Sequence, residues 1–277
     1  MKKENILIFK DVVKDYIMEL NRIYNEDCLE GMKRIPDKSV DMILCDLPYG
    51  TTACKWDTII PFEPLWEQYE RIIKDNGVIL LFASQPFTTK LIISNFELFK
   101  YCWYWIKKKP NGFQHAKNRP MMKVEEICVF SKASMGHESL LGERRMNYKP
   151  QGIVPNGKRK ITGKEHGRMM GARPNQIGNE YESFTNFPNN VLEFDNIWGK
   201  SAIHPTQKPV ELCEYLIKTY TNEGETVLDN CMGSGTTAIA CINTNRQFIG
   251  FELDKHYCEL AEKRISNHHE QLKIVGD

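Results

Sequence analysis

The sequence predicts a doubly wound α/β sheet, with helices on both faces of a largely parallel set of strands. Three observations carry that expectation. Short apolar runs alternate with stretches of helical spacing through residues 1–132 and again from residue 199 onward. The run Val78 to Ala83 is apolar throughout, as a strand buried on both faces must be. Thr226 to Asp229 leads through a glycine-containing turn into the helical stretch Ala238 to Cys241, which is the unit such sheets repeat.

Taken in order, residues 1–20 hold a helical segment, Asn21 to Asp27 a strand and Cys28 to Arg34 a short helix. Val40 to Cys45 is apolar except for Asp41. It reads as a core strand that Pro48 must end, because proline cannot continue a ladder. Leu65, Tyr69, Ile72 and Ile73 fall at helical spacing within Pro61 to Lys74, with Asn76-Gly77 as the stop. Thr88 to Phe96 predicts a helix, and Tyr101 to Ile106 and Glu126 to Phe130 two more strands. From Ala133 to Trp198 the apolar period disappears, and Gly, Asn, Pro, Lys and Arg dominate. So long an irregular stretch in a compact domain is usually functional or disordered. Thr206 to Tyr220 predicts a helix with Pro209 in its first turn, where no N–H is needed. Thr226 to Asp229 and Phe248 to Glu252 are strands, and Lys255 to about His269 is a last helix.

Composition excludes several classes. The chain has 277 residues, 41% hydrophobic and 26% charged, ordinary values for a globular protein. No apolar stretch approaches the length of a membrane span, and Ile6 to Phe9 is too short for a signal peptide. Nine cysteines without a Cys-x-x-Cys pair read as reduced thiols of a cytoplasmic protein, and metal binding is not expected. His115, His137, His166 and His204 show no metal spacing. The net charge of +1 hides an asymmetry. Residues 100–175 contain 17 Lys and Arg against 5 Glu, while the rest of the chain holds 20 basic and 31 acidic residues. A basic block in an acidic protein points to a polyanionic partner. Arg144, Arg145, Lys158, Arg159, Lys160, Lys164, Arg168 and Arg173 are its candidate phosphate contacts.

Two motifs carry chemistry. Asp46-Leu47-Pro48-Tyr49-Gly50 places a carboxylate, a rigid turn and an aromatic ring at the carboxyl end of a core strand, where ligands of open α/β sheets bind. A carboxylate and the Leu47 carbonyl are acceptors suited to an –NH₂ group, and the Tyr49 ring offers a face for stacking. On these five residues alone, an ordinary turn with Tyr49 in the core is the better reading. The second motif is Asp229-Asn230-Cys231-Met232-Gly233-Ser234-Gly235-Thr236-Thr237. Gly233 and Gly235 allow close approach of a ligand, and the helix start presents free N–H groups. Glu252, at the tip of the next strand, is placed for ribose hydroxyls. A lone Gly-x-Gly is weak; its position between a strand and a helix strengthens it.

Together the two motifs resemble the DNA amino-methyltransferases, with their Asp/Asn-Pro-Pro-Tyr and glycine-rich S-adenosylmethionine motifs. Here the catalytic motif comes first, which is the permuted order of the β class. His204-Pro205-Thr206-Gln207-Lys208-Pro209 resembles that class's cofactor-side segment, and Asn25-Glu26-Asp27-Cys28-Leu29 its adenine-contacting segment. Leu47 departs from the usual proline; the carbonyl survives and the turn loses rigidity. The resemblance covers roughly residues 20–132 and 200–265. It implies a Rossmann-like, seven-stranded methyltransferase sheet, circularly permuted so that Asn21 to Asp27 is its third strand and Thr226 to Asp229 and Phe248 to Glu252 its first and second. It further implies a catalytic domain in two parts, 1–132 and 199–277, around a target-recognition region, 133–198. The implied catalytic residues are Asp46, Leu47, Pro48 and Tyr49. The implied cofactor residues are Asp27, Cys28, Lys208, Asp229, Gly233, Gly235, Thr236, Thr237 and Glu252, with Lys208 beside the cofactor's carboxylate. Without the resemblance, Lys208 would read as part of an ordinary capped helix. The implied activity is methylation of adenine N6 in double-stranded DNA. N4 of cytosine, an RNA amine and an inactive nucleic-acid-binding subunit are the alternatives. A homodimer and a cognate restriction endonuclease are further partners that the family leaves open.

Overall fold

The computed structural model describes residues 18–50, 57–136, 141–160, 180–196 and 207–276. The chain forms two compact units, residues 1–149 with 190–277, and residues 150–189.

The larger unit is built on an eight-stranded sheet. Its strands are β1 (Arg22–Tyr24), β2 (Val40–Asp46), β3 (Ile73–Ala83), β4 (Phe99–Asn111), β5 (Met122–Phe130), β8 (Val191–Phe194), β9 (Thr226–Asp229) and β10 (Gln247–Phe251). Their spatial order is β1-β10-β9-β2-β3-β5-β4-β8. Pairing is parallel from β1 through to β3, antiparallel on both sides of β5, and parallel again between β4 and β8. The C-terminal strands β9 and β10 thus lie between the N-terminal β1 and β2, which is the permuted arrangement the motif order implies. The eighth strand is β8. It lies in the stretch without apolar period, because four residues reading Val-Leu-Glu-Phe are too few to show one.

Strand alternation sends side chains to two cores. Met42, Leu44, Val78, Leu80 and Phe82 face one cluster. That face is covered by α4 (Val210–Tyr220), α5 (Thr236–Asn243) and α6 (Lys255–Gly276), through residues such as Leu212, Leu216, Ala238 and Ala261. Ile43, Cys45, Ile79 and Leu81 face the other, covered by α1 (Cys28–Met32), α2 (Phe62–Ile72) and α3 (Phe87–Ser94) through Met32, Leu65, Tyr69 and Leu91. Trp103 and Trp105 are core residues, their indole N–H groups donating to Tyr220 Oη (2.6 Å) and the Phe194 carbonyl (2.9 Å).

Three boundaries differ from expectation for local reasons. Asn76-Gly77 does not stop a helix: β3 already begins at Ile73, and the register passes from Val40 opposite Ile73 to Met42 opposite Val78, leaving this dipeptide in a bulge. The strand expected over Asn21 to Asp27 is shorter, since Asp27 turns back to cap α1. Pro209 is the cap residue before α4, not part of its first turn. The smaller unit contains one antiparallel pair, β6 (Val154–Lys160) with β7 (Glu180–Thr185), Lys158 opposite Glu182 and Arg159 opposite Tyr181. It lies within the expected 133–198 region; Ala133 and Met146, also in that region, belong to a core cluster of the larger unit. Among the described residues no helix is long and apolar enough to cross a membrane.

Candidate active site

Parallel pairing of β2, β9 and β10 sets their carboxyl ends side by side, and each ends at an acid: Asp46, Asp229 and, one residue past β10, Glu252. All three line one cavity of about 770 Å³, together with Asp27, Cys28, Leu47, Pro48, Tyr49, Lys208, the turn from Asn230 to Ser234, Thr236 and Thr237; Gly235 does not line it. The strand-end geometry thus brings both sequence motifs to a single site.

On one side is the glycine turn. Gly233 and Gly235 adopt φ +53° and +78°, and a Cβ on Gly235 would lie 3.1 Å from that of Ala261. A side chain there meets both strain and α6. Asp229 holds the turn: it accepts from Cys231 N (3.0 Å) and from the Thr237 hydroxyl (2.6 Å). Burial raises its pKa to about 6, opposed by those same hydrogen bonds. Glu252 accepts from the N–H groups of Gly233 (2.7 Å) and Asp254 (2.8 Å), and burial raises its pKa as well. Arg264, on α6, donates to the Ser234 carbonyl (2.9 Å) and the Thr236 hydroxyl (3.1 Å). Asp27 accepts from Leu29 N (2.8 Å) and Glu30 N (3.3 Å) as the α1 cap. Burial lifts the Cys28 thiol to about 12, so it stays protonated. A side-chain-free cradle, a helix start and two strand-end carboxylates suit a nucleoside cofactor carrying charged groups.

On the other side is a cluster of charges. Asp46 accepts from the Tyr49 hydroxyl on Oδ1 (2.8 Å) and from Lys208 Nζ on Oδ2 (2.5 Å). Lys208 also meets Glu125 Oε1 (2.9 Å), and Lys107 meets Glu125 Oε2 (2.5 Å). Lys208 therefore bridges two carboxylates. Burial raises the pKa of Asp46; Lys208 opposes this and Glu125 adds to it. Burial also disfavours the charge on Glu125, but Lys208 and Lys107 outweigh it and hold that carboxyl below its usual range. The Lys208 ammonium is likewise penalised by burial, and Asp46 with Glu125 more than restores it. Phe87 stacks on Tyr49 with centroids 4.9 Å apart, fixing the ring plane. Asp57 Oδ1 accepts from Gly50 N (2.8 Å) and pins the turn after Tyr49.

Glu125 and Lys107 escaped the sequence reading, although a signal for them exists. Trp103, Trp105 and Lys107 share the inward parity of β4, and Glu125, Ile127 and Val129 that of β5; Glu125 lies opposite Trp105. A charge at an inward position on each of two neighbouring strands, at the same end, marks a buried pair. Of the candidate phosphate contacts, Arg144 is exposed in the larger unit and Arg145 is partly exposed there. Lys158, Arg159 and Lys160 lie on β6 of the smaller unit, Lys158 and Arg159 exposed. Lys164, Arg168 and Arg173 fall outside the described residues, as does His204.

A Rossmann-like sheet with the glycine turn and the Asp46 turn in one cavity is the arrangement that the two sequence motifs imply for an amino-methyltransferase. The comparisons make the class specific. Residues 40–263 match the N6_N4 DNA methylase family, and the chain belongs to it. It is an enzyme, and S-adenosylmethionine is its methyl donor. It is 28% identical to the Type II methyltransferase M1.MboII of Moraxella bovis, over 88% of this chain and 96% of the relative. It is 26% identical to the DNA adenine methyltransferase YhdJ of Escherichia coli K12, over 89% and 83%. In fold it is similar to the M1.HpyAVI–SAM complex (TM-score 0.55, 24% identity, 88% of this chain and 98% of that one). The cytosine-N4-specific PvuII DNA methyltransferase has the same fold (TM-score 0.60, 15% identity, 92% and 93%).

Proposed function

We propose that this enzyme methylates N6 of adenine in double-stranded DNA, on a base turned out of the duplex. An exocyclic amine inside a base stack cannot reach a cavity at the end of a buried sheet, so the base must leave the stack. S-adenosylmethionine, when bound, supplies an electrophilic methyl group. Gly233, Thr236 and Thr237 give its charged end backbone access, Gly235 lets the turn pass close to α6, and Glu252 and Asp27 keep acceptor capacity beyond their backbone contacts for its ribose and adenine edge.

The observation that carries this reading is the Asp46 carboxylate, fixed on both oxygens and facing the same cavity as the glycine turn. Each of its oxygens retains a lone pair for an amine hydrogen. With the Leu47 carbonyl taking the other hydrogen, the amine nitrogen's lone pair leaves conjugation and is aimed at the methyl. Pro48 fixes the turn, and Tyr49, backed by Phe87, gives the base a flat surface. Most of the rate then comes from positioning and fixed electrostatics. Arg144, Arg145 and the basic residues from Lys158 to Arg173 bind phosphates. The reduced thiols fit a cytoplasmic setting. Incubating duplex DNA with methyl-labelled cofactor and separating the nucleosides is the test. Label in N6-methyladenine is expected; label confined to N4-methylcytosine overturns the choice of base.

A further inference from the structure

We propose that Glu125 is a positioning residue for methyl transfer: by sharing Lys208 it keeps Asp46 a strong enough acceptor to draw on the target amine. This rests on the reading of Asp46 as the amine's acceptor. If Lys208 paired with Asp46 alone, its whole charge would fall on the oxygen pair that must accept the amine hydrogen. An acceptor so neutralised polarises the N–H bond weakly. Glu125 divides that charge. Its Oε1 lies 2.9 Å from Lys208 Nζ, its Oε2 is held 2.5 Å from Lys107 Nζ, and its side chain is 7% exposed. The two ammonium groups are themselves seated on aromatic rings, Lys208 5.0 Å from the Phe82 centroid and Lys107 5.2 Å from that of Trp105. The cluster is thus balanced, two acids with two bases, and fixed on four elements: the end of β2, β4, β5 and the approach to α4.

A pair kept only for stability needs no second carboxylate. Here a carboxylate on β5 reaches across to a lysine already bonded to Asp46, and the Tyr49 hydroxyl, 2.8 Å from Asp46, lies 3.5 Å from Glu125 Oε1. The groups acting on Asp46 are therefore Lys208 and Tyr49 at contact and Glu125 through its charge, with Asp229, Cys45, Cys213 and Cys231 farther off.

The test is single-turnover transfer across pH on the full chain with duplex DNA, for Glu125→Gln and Lys107→Met. Glu125→Gln keeps the shape and removes the charge. The transfer rate on the plateau is expected to fall about tenfold, with cofactor affinity within about twofold of the wild type. The acidic limb should move to lower pH, because the like charge that raises Asp46 is gone. Lys107→Met should move the limb the opposite way, since Glu125 is then less compensated. A merely structural role would not move the limb in opposite directions. Should Glu125→Gln not fold, the double variant Glu125→Gln with Lys107→Met keeps the cluster balanced, and the downward limb is again expected. Wild-type rate and limb in Glu125→Gln, beside an inactive Asp46→Ala, would overturn the role of Glu125 while leaving Asp46 in place. An active Asp46→Ala would instead overturn the reading on which the proposal rests.

Discussion

Strand β2 carries two aspartates, one near its start and one at its end, and each is bonded to a lysine at 2.5 Å. At the start, Asp41 meets Lys74 and also accepts from Thr226 N (3.0 Å). Lys74 is 40% exposed, and the pair ties β2 and β3 to the first residue of β9. At the end, Asp46 meets Lys208, which is 10% exposed and is shared with a second carboxylate. Asp41 lines no part of the cavity; Asp46 does. The same residue types on the same strand thus serve two purposes. The difference lies in what else claims the lysine and in which end of a parallel sheet is open to a ligand.

The comparison is broken most severely by Asp46→Ala. Methyl transfer should drop by roughly 10³-fold or more, while calorimetry shows cofactor affinity little changed. Loss of cofactor binding instead would mean that Asp46 belongs to the other half of the site. Asp41→Ala should do the reverse. Leaving the Thr226 N–H and Lys74 without their acceptor should cost about 2 kcal/mol of stability, read in denaturant unfolding, with transfer per folded molecule unchanged.

Both aspartates are visible in the sequence, yet only one stands out there, because the Pro-Tyr-Gly shortly after Asp46 gives it a chemical context that Asp41 lacks. The strands are legible where apolar runs are continuous, as in Val78 to Ala83, or where a glycine turn follows, as after Asp229. The circular order of strands is legible from the order of the two motifs. Strand β8 is not, being too short to show a period, and neither is the bulge at Asn76-Gly77, whose residues also suit a helix stop. The motif points to Lys208 but not to its partners. Glu125 and Lys107 are far from it in sequence, and only the pairing of β4 with β5 and of β5 with β3 brings them to the end of β2.

Two smaller effects sharpen the contrast between the acidic cavity and the basic stretch. Neutralising Lys158, Arg159 and Lys160 together should weaken DNA binding to cognate and random duplexes alike. The log–log salt slope should flatten by about 0.9 for each phosphate that the protein no longer neutralises, with cofactor affinity unaffected. An unchanged slope would reduce the cluster to solvated surface. The smallest effect concerns Asp229. Its pKa is raised from 3.8 to about 6, so its protonated form favours the folded state. That contribution is complete below the ordinary carboxylate value and is lost as pH rises through about 6. Asp229→Asn should therefore show a flatter dependence of melting temperature on pH across this window than the wild type.

The most direct test sets Asp46→Ala against Asp41→Ala, two changes that remove the carboxylate at opposite ends of one strand. Single-turnover transfer to duplex DNA is measured with cofactor saturating and folding confirmed for both. The account predicts near wild-type transfer for Asp41→Ala. It predicts transfer roughly 10³-fold slower for Asp46→Ala, which leaves the amine without its side-chain acceptor. Equal rates in the two variants would contradict the assignment of Asp46 as the acceptor for the adenine amine.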